Sequence, residues 1–267
     1  MRDAAKQHWP EYLMEAAGLG LFMISASLFA SLLEHPASPL RQAIPSPLLR
    51  RVLMGLAMGS TAIGLIYSPW GQQSGAHLNP SVTLTFWRLG KVRSWDAVSY
   101  ILFQCIGGAA GILLASLLLH RWIADPHVNY VATLPGPDGS LVAFAAEGLI
   151  SFGMMSAVLT ASNAERLAQY TGLFAGLLVM AYIVLEAPVS GMSMNPARSL
   201  APSIPASAWR FLWIYLTAPP LGMLLAAELY RRWAGPRGVI CAKLHHHNHR
   251  RCIFRCGYTE REAAPRG

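Results

Sequence analysis

The chain has 267 residues, of which 54% are hydrophobic and only 13% are charged, and its mean hydropathy is +0.37. Because soluble domains carry roughly 25% charged residues, this composition excludes an ordinary soluble enzyme. The formal net charge of +8 does not indicate nucleic-acid binding, since the sequence has no basic module interleaved with aromatic residues. It also has no Ser/His/Asp grouping, phosphate loop or HExxH motif, so we expect no enzymatic activity.

Long uncharged stretches recur along the chain, and each exceeds the roughly 18 residues that suggest a membrane helix. They are Ala16–Leu33, Val52–Ala76, Ala97–Leu119 and Leu167–Leu185, joined by Leu141–Ala164 and Phe211–Leu229 if one glutamate in each is tolerated. The first stretch is interpreted as a membrane helix, because it is longer than a signal-peptide core and lacks an Ala-x-Ala cleavage site. The sequence therefore predicts one multi-pass membrane domain over residues 1–234.

One sequence motif occurs twice in the chain, at residues 74–81 and 190–197. Both copies read Ser-Gly-x-x-x-Asn-Pro followed by a small residue. Each precedes a stretch that is too short to cross a bilayer, which needs about 20 residues. These stretches are Pro80–Leu89 and Pro196–Ile204. The pattern predicts two inverted repeats, each with three spans and one re-entrant half-helix, as many transport proteins have around a midplane site.

Glycine and proline indicate how the spans are joined and packed. The stretch Ile123–Ser140 between the two halves is rich in both residues and is predicted to be an exposed loop. Glycine pairs four residues apart let helix backbones approach closely in lipid. The pairs are Gly55/Gly59, Gly107/Gly111 and Gly172/Gly176.

The two Asn-Pro pairs are physical start signals for helices, because asparagine caps a helix N-terminus and proline suits the first helical position. If the half-helices enter from opposite faces, their N-termini meet near the middle, each contributing about half a positive charge. Asn79 and Asn195 would then offer amide donors to a neutral molecule, while cations would be repelled.

The segments SGAHLNP and SGMSMNPARS, with Glu15 and Glu147 ahead of them, resemble the aquaporin and glycerol-facilitator (major intrinsic protein) family from about Trp9 to Trp233. The resemblance implies an all-α membrane protein with an aquaporin-like inverted repeat, six transmembrane helices plus two re-entrant half-helices. It also implies a homotetramer with one pore in each subunit.

The same resemblance assigns roles to individual residues. Asn79 and Asn195 would be the pore asparagines of the two NPA motifs, although the first motif here ends in Ser81. Arg198 would narrow the pore, and Glu15 and Glu147 would brace the re-entrant loops through otherwise unpaired backbone N–H groups. His77 would either line the pore or brace its loop.

The constriction beside Arg198 is expected from the resemblance to contain Ile183 and Met192, with Met58 or Gly59 from the second span. Family members restricted to water carry a bulky aromatic residue and a histidine at two of these positions, and this chain carries neither. We therefore expect small neutral solutes to pass. Ser199 stands where glycerol facilitators typically have aspartate, which leaves the substrate class open. Glu186 is expected to be solvated at the interface.

The expected function is a passive transmembrane channel for water and small uncharged solutes, with glycerol, urea and metalloid hydroxides as candidates. One alternative is an ion- or proton-coupled transporter on the same scaffold, which would need Glu15 or Glu147 exposed to the substrate path. The other alternative is a channel regulated by a metal- or redox-sensing tail.

Positive charges predict the orientation, since cytoplasmic loops are enriched in lysine and arginine. Those expected on the cytoplasmic side are Arg2, Lys6, Arg88, Lys91, Arg93, Arg166 and those of the tail. Both termini would then be cytoplasmic, in a plasma (inner) membrane. Arg41, Arg50 and Arg51 fall on the other side and weaken the pattern.

Residues 235–267 form a basic tail, outside the resemblance, that holds three cysteines and four histidines: Cys241, His245, His246, His247, His249, Cys252 and Cys256. Thiolates with imidazole suit zinc or an iron centre. The expected ligands are Cys241, Cys252, Cys256 and one of His245 and His246. A flexible basic segment at the membrane surface and a redox sensor are the alternatives.

Overall fold

The computed structural model describes residues 2–235 and 238–258, and throughout these it contains helices and loops but no strand. The helices are α1 (Arg2–Glu34), α2 (Pro39–Ala43), α3 (Pro47–Tyr67), α4 (Pro69–Ser74), α5 (Pro80–Arg88), α6 (Ser94–Leu119), α7 (Arg121–Ala124), α8 (Ser140–Ser162), α9 (Thr171–Ser190), α10 (Pro196–Ser203) and α11 (Leu212–Ala234). Six of the described helices, α1, α3, α6, α8, α9 and α11, are long and apolar enough to cross a membrane. The predicted all-α membrane fold is confirmed.

Two span boundaries differ by more than a few residues from the sequence prediction. The first helix begins well before Ala16, because polar groups in its first turns have partners: Tyr12 Oη donates to Asp96 Oδ1 at 2.6 Å, and His8 Nδ1 lies 2.8 Å from the same oxygen. The second span ends at Tyr67, since Ser68 caps a new short helix that has proline at its first position. The remainder of that apolar stretch folds back into the bundle.

The two halves of the chain form an inverted repeat. The first half contains α1, α3, the half-helix α5 and α6, and the second contains α8, α9, the half-helix α10 and α11. Within the halves α1 packs on α6 and α8 packs on α11, while between them α3 packs on α9, α5 on α11 and α10 on α6. Each half-helix therefore packs against the last span of the opposite half. Because the number of described spans is even, the start of α1 and the end of α11 lie on one side of the bundle, which we call the terminal face.

Glycine makes the closest of these helix contacts. A Cβ atom at Gly107 in α6 would lie 2.1 Å from the carbonyl oxygen of Ala16 in α1, and one at Gly59 in α3 would lie 2.6 Å from that of Gly176 in α9. Van der Waals contact of backbones is a main source of helix association in lipid. The predicted role of the glycine pairs is supported by this geometry.

We expect the substitution Gly107→Ala to destabilise the bundle by about 1–3 kcal/mol, the usual cost of overpacking. The added methyl group would force α1 and α6 apart, lowering the midpoint of a thermal melt followed by size-exclusion chromatography in detergent. The matched control is Gly64→Ala in α3, because no atom lies within 4 Å of the position that its new methyl group would take. A melt of Gly107→Ala that matched the control would contradict this account of the packing.

The connection between the halves is not the exposed loop predicted for Ile123–Ser140. Val131 and Thr133 are buried, and the backbone N–H of Gly136 donates to the carbonyl of Val189 at 2.8 Å. Proline and glycine indicate irregular chain, but they do not indicate which side of that chain faces the protein. The middle of this connection dips into the bundle on the face opposite the termini.

Residues 238–258, which we call the C-terminal segment, pack beneath the terminal face. Residues 238–257 have no helix or strand. The apolar side chains of the segment are nevertheless buried: Val239, Ile240, Ala242, Leu244, Ile253 and Phe254. This part of the predicted tail is therefore folded against the bundle instead of lying free at a membrane surface, whereas residues 236–237 and 259–267 lie outside the described residues.

Candidate functional site

The two re-entrant loops have the same backbone conformation at matched positions. Gly75 and Gly191 have φ of 94° and 81°, and the pairs Ala76/Met192 and Leu78/Met194 have φ between 48° and 55°. A left-handed conformation costs a residue with a side chain about 1–2 kcal/mol. Something must hold these loops in place, and the same positive φ at three matched positions in both copies shows that the repeat extends to individual residues.

Glu15 holds the first loop. Its carboxylate accepts the backbone N–H groups of His77 and Leu78 at 3.1 and 2.6 Å, and the hydroxyl of Ser74 at 2.7 Å. Gln104 Nε2 donates to the same carboxylate at 2.8 Å. Because Glu15 is fully buried, these bonds satisfy donors that would otherwise be unpaired away from water.

Glu147 holds the second loop in the same way. It accepts the backbone N–H groups of Ser193 and Met194, both at 2.7 Å, and the hydroxyl of Ser190 at 2.6 Å. Glu147 is also fully buried. The bracing role implied by the resemblance agrees with this geometry in both halves.

Two tyrosines complete the braces and were missed in the sequence. Tyr100 Oη donates to the carbonyl of Ser74 at 2.7 Å, and Tyr215 Oη donates to that of Ser190 at 2.6 Å. Both are buried. Tyr100 follows Ser74 by 26 residues, and Tyr215 follows Ser190 by 25 residues. A comparison of the two halves for identical residues at similar distances from the repeated motif would therefore have found them.

Asn79 caps α5 and Asn195 caps α10, each followed by proline as the first helical residue. Their side-chain oxygens accept backbone N–H groups of the first helical turn at 2.8 to 3.2 Å. Each amide nitrogen donates across the molecule: Asn79 Nδ2 to the carbonyl of Met194, and Asn195 Nδ2 to that of Leu78, both at 2.7 Å. The positive N-termini of the half-helices thus meet, as the sequence predicts.

A cavity of about 240 Å³ passes between these helix ends. Most of its lining is apolar, and the polar groups that face it include Asn79, Asn195 and Arg198. The cavity is also lined by Met58 of the second span, Ile183 of the fifth span and Met192 of the second re-entrant loop. Gly59, the other candidate from the second span, packs against Gly176 instead. Of the two candidates from the second span, Met58 therefore lines the cavity and Gly59 does not.

Arg198 is oriented by a residue that the sequence analysis overlooked. Its Nη1 donates to Thr133 Oγ1, which lies 2.9 Å from the hydroxyl of Ser199. Thr133 belongs to the connection between the halves, so this connection reaches the constriction. Ser199, where glycerol facilitators typically have aspartate, bonds to Thr133 and does not line the cavity.

The structure also places His77, Ser81 and Glu186, for which the sequence left the role open or predicted a different environment. His77 lines the cavity, yet its ring is bonded on both sides, to Thr83 Oγ1 at 3.1 Å and to the carbonyl of Ala242 at 2.9 Å. Ser81 is fully buried outside the cavity lining, so its hydroxyl does not meet a solute. Glu186 is only 7% exposed, and the expectation of a solvated carboxylate there is wrong.

The C-terminal segment brings together Cys241, His246, Cys252 and Cys256, whose donor atoms all lie within 4.8 Å of one another. The histidine in this group is His246; His245, named first in the sequence prediction, instead packs edge-on against Tyr67. The hydrogen bond with Cys241 lowers the pKa of both the Cys252 and Cys256 thiols, favouring their thiolate forms. Thiolates are the forms that bind metals.

Comparison with known proteins places the chain in a family. The family model described as Major intrinsic protein matches residues 4–230. The chain is 35% identical over 184 residues to aquaporin NIP1-2 of Arabidopsis thaliana, covering 67% of this chain and 62% of that protein. It is 34% identical over 175 residues to aquaporin NIP6-1 of the same plant, covering 65% of this chain and 55% of that protein. The match thus spans a little over half the length of these relatives.

The fold is also similar to a solved structure. The X-ray structure of the aquaglyceroporin from Plasmodium falciparum aligns with a TM-score of 0.69 at 20% identity, covering 86% of this chain and 98% of that chain. This likeness shows that the two chains share a fold. The chain belongs to the major intrinsic protein family.

Proposed function

We propose that this protein is a passive transmembrane channel for water and small uncharged solutes, with no catalytic step. The observation that carries the proposal is the cavity that runs from Arg198 past Asn79 and Asn195 to His77. One N–H of each asparagine amide is used in the bond to the opposite loop, which leaves the second for a passing molecule. The half-helix N-termini and Arg198 give this path a positive potential that disfavours cations and protons.

The constriction favours solutes with an apolar side. Met58, Ile183 and Met192 present no hydrogen-bonding donor, so Arg198 is the strong polar contact of the ring. A solute such as glycerol, urea or a metalloid hydroxide can bond to Arg198 while its other side contacts methionine, whose side chain adapts in shape. We therefore propose a broader facilitator in preference to a pore restricted to water.

The braces argue against a coupled transporter. An ion- or proton-coupled carrier needs an intramembrane carboxylate that meets the substrate path. Glu15 and Glu147 are fully buried, accept the loop N–H groups and do not line the cavity. Their geometry supports a fixed channel over an alternating carrier.

We further propose that the terminal face is cytoplasmic and that four copies assemble in a plasma membrane. Arg88, Lys91, Arg93 and Arg166 lie on the terminal side of the spans, as the positive-inside rule requires. The tetramer follows from the resemblance to the family. Native mass spectrometry of the protein in detergent tests it, and a monomer would contradict it.

The experiment that tests the channel is stopped-flow light scattering on proteoliposomes containing the full chain. Vesicles first shrink under an impermeant osmolyte and are then followed for re-swelling under glycerol, urea or boric acid. Because the C-terminal segment lies at one end of the cavity, matched samples are prepared with and without a metal chelator. We expect fast, protein-dependent shrinkage and re-swelling in the chelated sample.

The outcome of the stopped-flow experiment distinguishes a broad facilitator, a pore restricted to water and a coupled transporter. Water flow without re-swelling would contradict the broad facilitator and mean that the methionines close the constriction to all but water. An absence of water and solute flow in every sample would contradict the channel. Flow that requires an ion or pH gradient would favour the coupled transporter.

A further inference from the structure

The four donors in the C-terminal segment form a set that suits one particular metal. Three thiols and one imidazole make a Cys₃His group, which is a common structural zinc set. With Zn–S bonds of about 2.3 Å, tetrahedral donors lie about 3.8 Å apart. Here Cys241 Sγ lies 3.5 Å from Cys252 Sγ, and Cys256 Sγ lies 3.1 Å from His246 Nε2. Small side-chain shifts would seat the ion without moving the backbone.

The charge around the cluster also fits a zinc thiolate centre. Lys243 is 2% exposed, and its ammonium donates to the carbonyl of Arg250 at 3.1 Å. A buried ammonium needs an opposite charge nearby. Three thiolates around Zn²⁺ carry a net charge of −1, which would balance Lys243.

The C-terminal segment needs an additional interaction to stabilise its fold. Residues 238–257 have neither helix nor strand, and a stretch of this length has too few apolar contacts to fold on its own. Binding energy from a structural zinc is folding energy in such short segments. His246 also stacks on Tyr258, with ring centroids 4.1 Å apart, which fixes the orientation of the imidazole.

The folded segment covers the end of the cavity at the terminal face. Leu244 lines the cavity, and its backbone N–H donates to the carbonyl of Gly75 in the first re-entrant loop at 3.1 Å. Phe254 stacks on His77, with centroids 5.2 Å apart and planes at 8°. His77 also donates to the carbonyl of Ala242. The segment is therefore bonded directly to the pore-lining loop.

Contacts with two other elements complete the attachment. Arg251 donates to the buried Glu11 of α1 at 2.5 and 2.7 Å. The backbone N–H of Ile240 donates to Asn163 Oδ1 after α8 at 2.6 Å. The segment is therefore attached to α1, to the first re-entrant loop and to the end of α8.

We propose that Cys241, His246, Cys252 and Cys256 bind one zinc ion, and that this zinc holds the C-terminal segment as a plug that closes the pore at the terminal face. The zinc site stands on the four donors alone, whereas the closing role rests on the proposed channel function. Loss of zinc would release the segment and open the pore.

The zinc site is tested on the full-length protein in detergent by inductively coupled plasma mass spectrometry, after expression in medium containing both zinc and iron. We expect about one zinc per chain, with most of it lost in His246→Ala and in Cys252→Ser. The matched controls are His245→Ala, the neighbouring histidine outside the cluster, and Cys105→Ala in α6; both should keep their zinc. Iron in place of zinc, a disulfide between Cys241 and Cys252, or equal zinc in the two histidine variants would overturn the site.

The plug is tested by water permeability of the same proteins in proteoliposomes. We expect low permeability for the zinc-loaded parent and for Cys105→Ala, and a several-fold increase for His246→Ala and for the parent treated with a zinc chelator. Leu244→Ala should raise permeability while zinc stays bound. Equal permeability with and without zinc would overturn the plug. If zinc binds as expected but no variant conducts, the site stands and the channel function fails.

Discussion

Replacement of Glu147 with leucine is expected to abolish both folding and conduction. The change leaves the backbone N–H groups of Ser193 and Met194 and the hydroxyl of Ser190 without their acceptor. Each buried, unpaired donor costs about 1–3 kcal/mol, and the total is comparable with the 5–15 kcal/mol that stabilises a typical protein. The yield of monodisperse protein in detergent, followed by water permeability of zinc-chelated vesicles, measures the effect.

The matched control for this change is Glu186→Leu. Glu186 is buried in the same half, in α9, but its carboxylate oxygens accept no backbone N–H group from the described loop. Its replacement removes a buried carboxylate and should leave the yield unchanged or higher. Glu147→Gln, which keeps one acceptor oxygen, should fall between the parent and Glu147→Leu. If Glu147→Leu folds and conducts like the parent, the loop does not depend on this brace.

The sequence predicted the parts of the structure that depend on composition and on local start signals. Spans follow from about 20 consecutive apolar residues, and the half-helices follow from Asn79-Pro80 and Asn195-Pro196, whose cap geometry the structure shows. The inverted repeat follows from the odd number of spans between the two copies of the motif, which are α6, α8 and α9. These signals act within a few residues, so they are readable without knowledge of the fold.

Other features depend on contacts between distant segments and could not be predicted in this way. Thr133 lies in an irregular connection, and its bond to Arg198 joins residues 65 positions apart. The choice between Met58 and Gly59 is a rotation of about 100° on a helix of 3.6 residues per turn, and only the packing of Gly59 on Gly176 decides it. His245 and His246 are adjacent in a segment without helix or strand, where no periodicity separates a ligand from its neighbour.

We expect the substitution Arg198→Ala to change selectivity more than any other single change at the constriction. Its guanidinium is the charged group of a ring otherwise formed by Met58, Ile183 and Met192, so its loss widens the ring and removes the positive potential there. Glycerol and urea permeability should rise about tenfold, which corresponds to a barrier lowered by about 1.4 kcal/mol, and cations should begin to leak. Stopped-flow re-swelling and a cation-sensitive dye in the same zinc-chelated vesicles measure both effects.

The matched control is Arg210→Ala, because Arg210 is exposed on the same face as the constriction, between α10 and α11. If simple attraction or repulsion at the surface set selectivity, both variants would change flux by similar amounts. If Arg198 acts by narrowing the path, only its replacement changes the ratio of glycerol to water permeability. An unchanged ratio in Arg198→Ala would mean that solutes pass the constriction without contacting this side chain, and the order of selectivity would then have to come from the methionines alone.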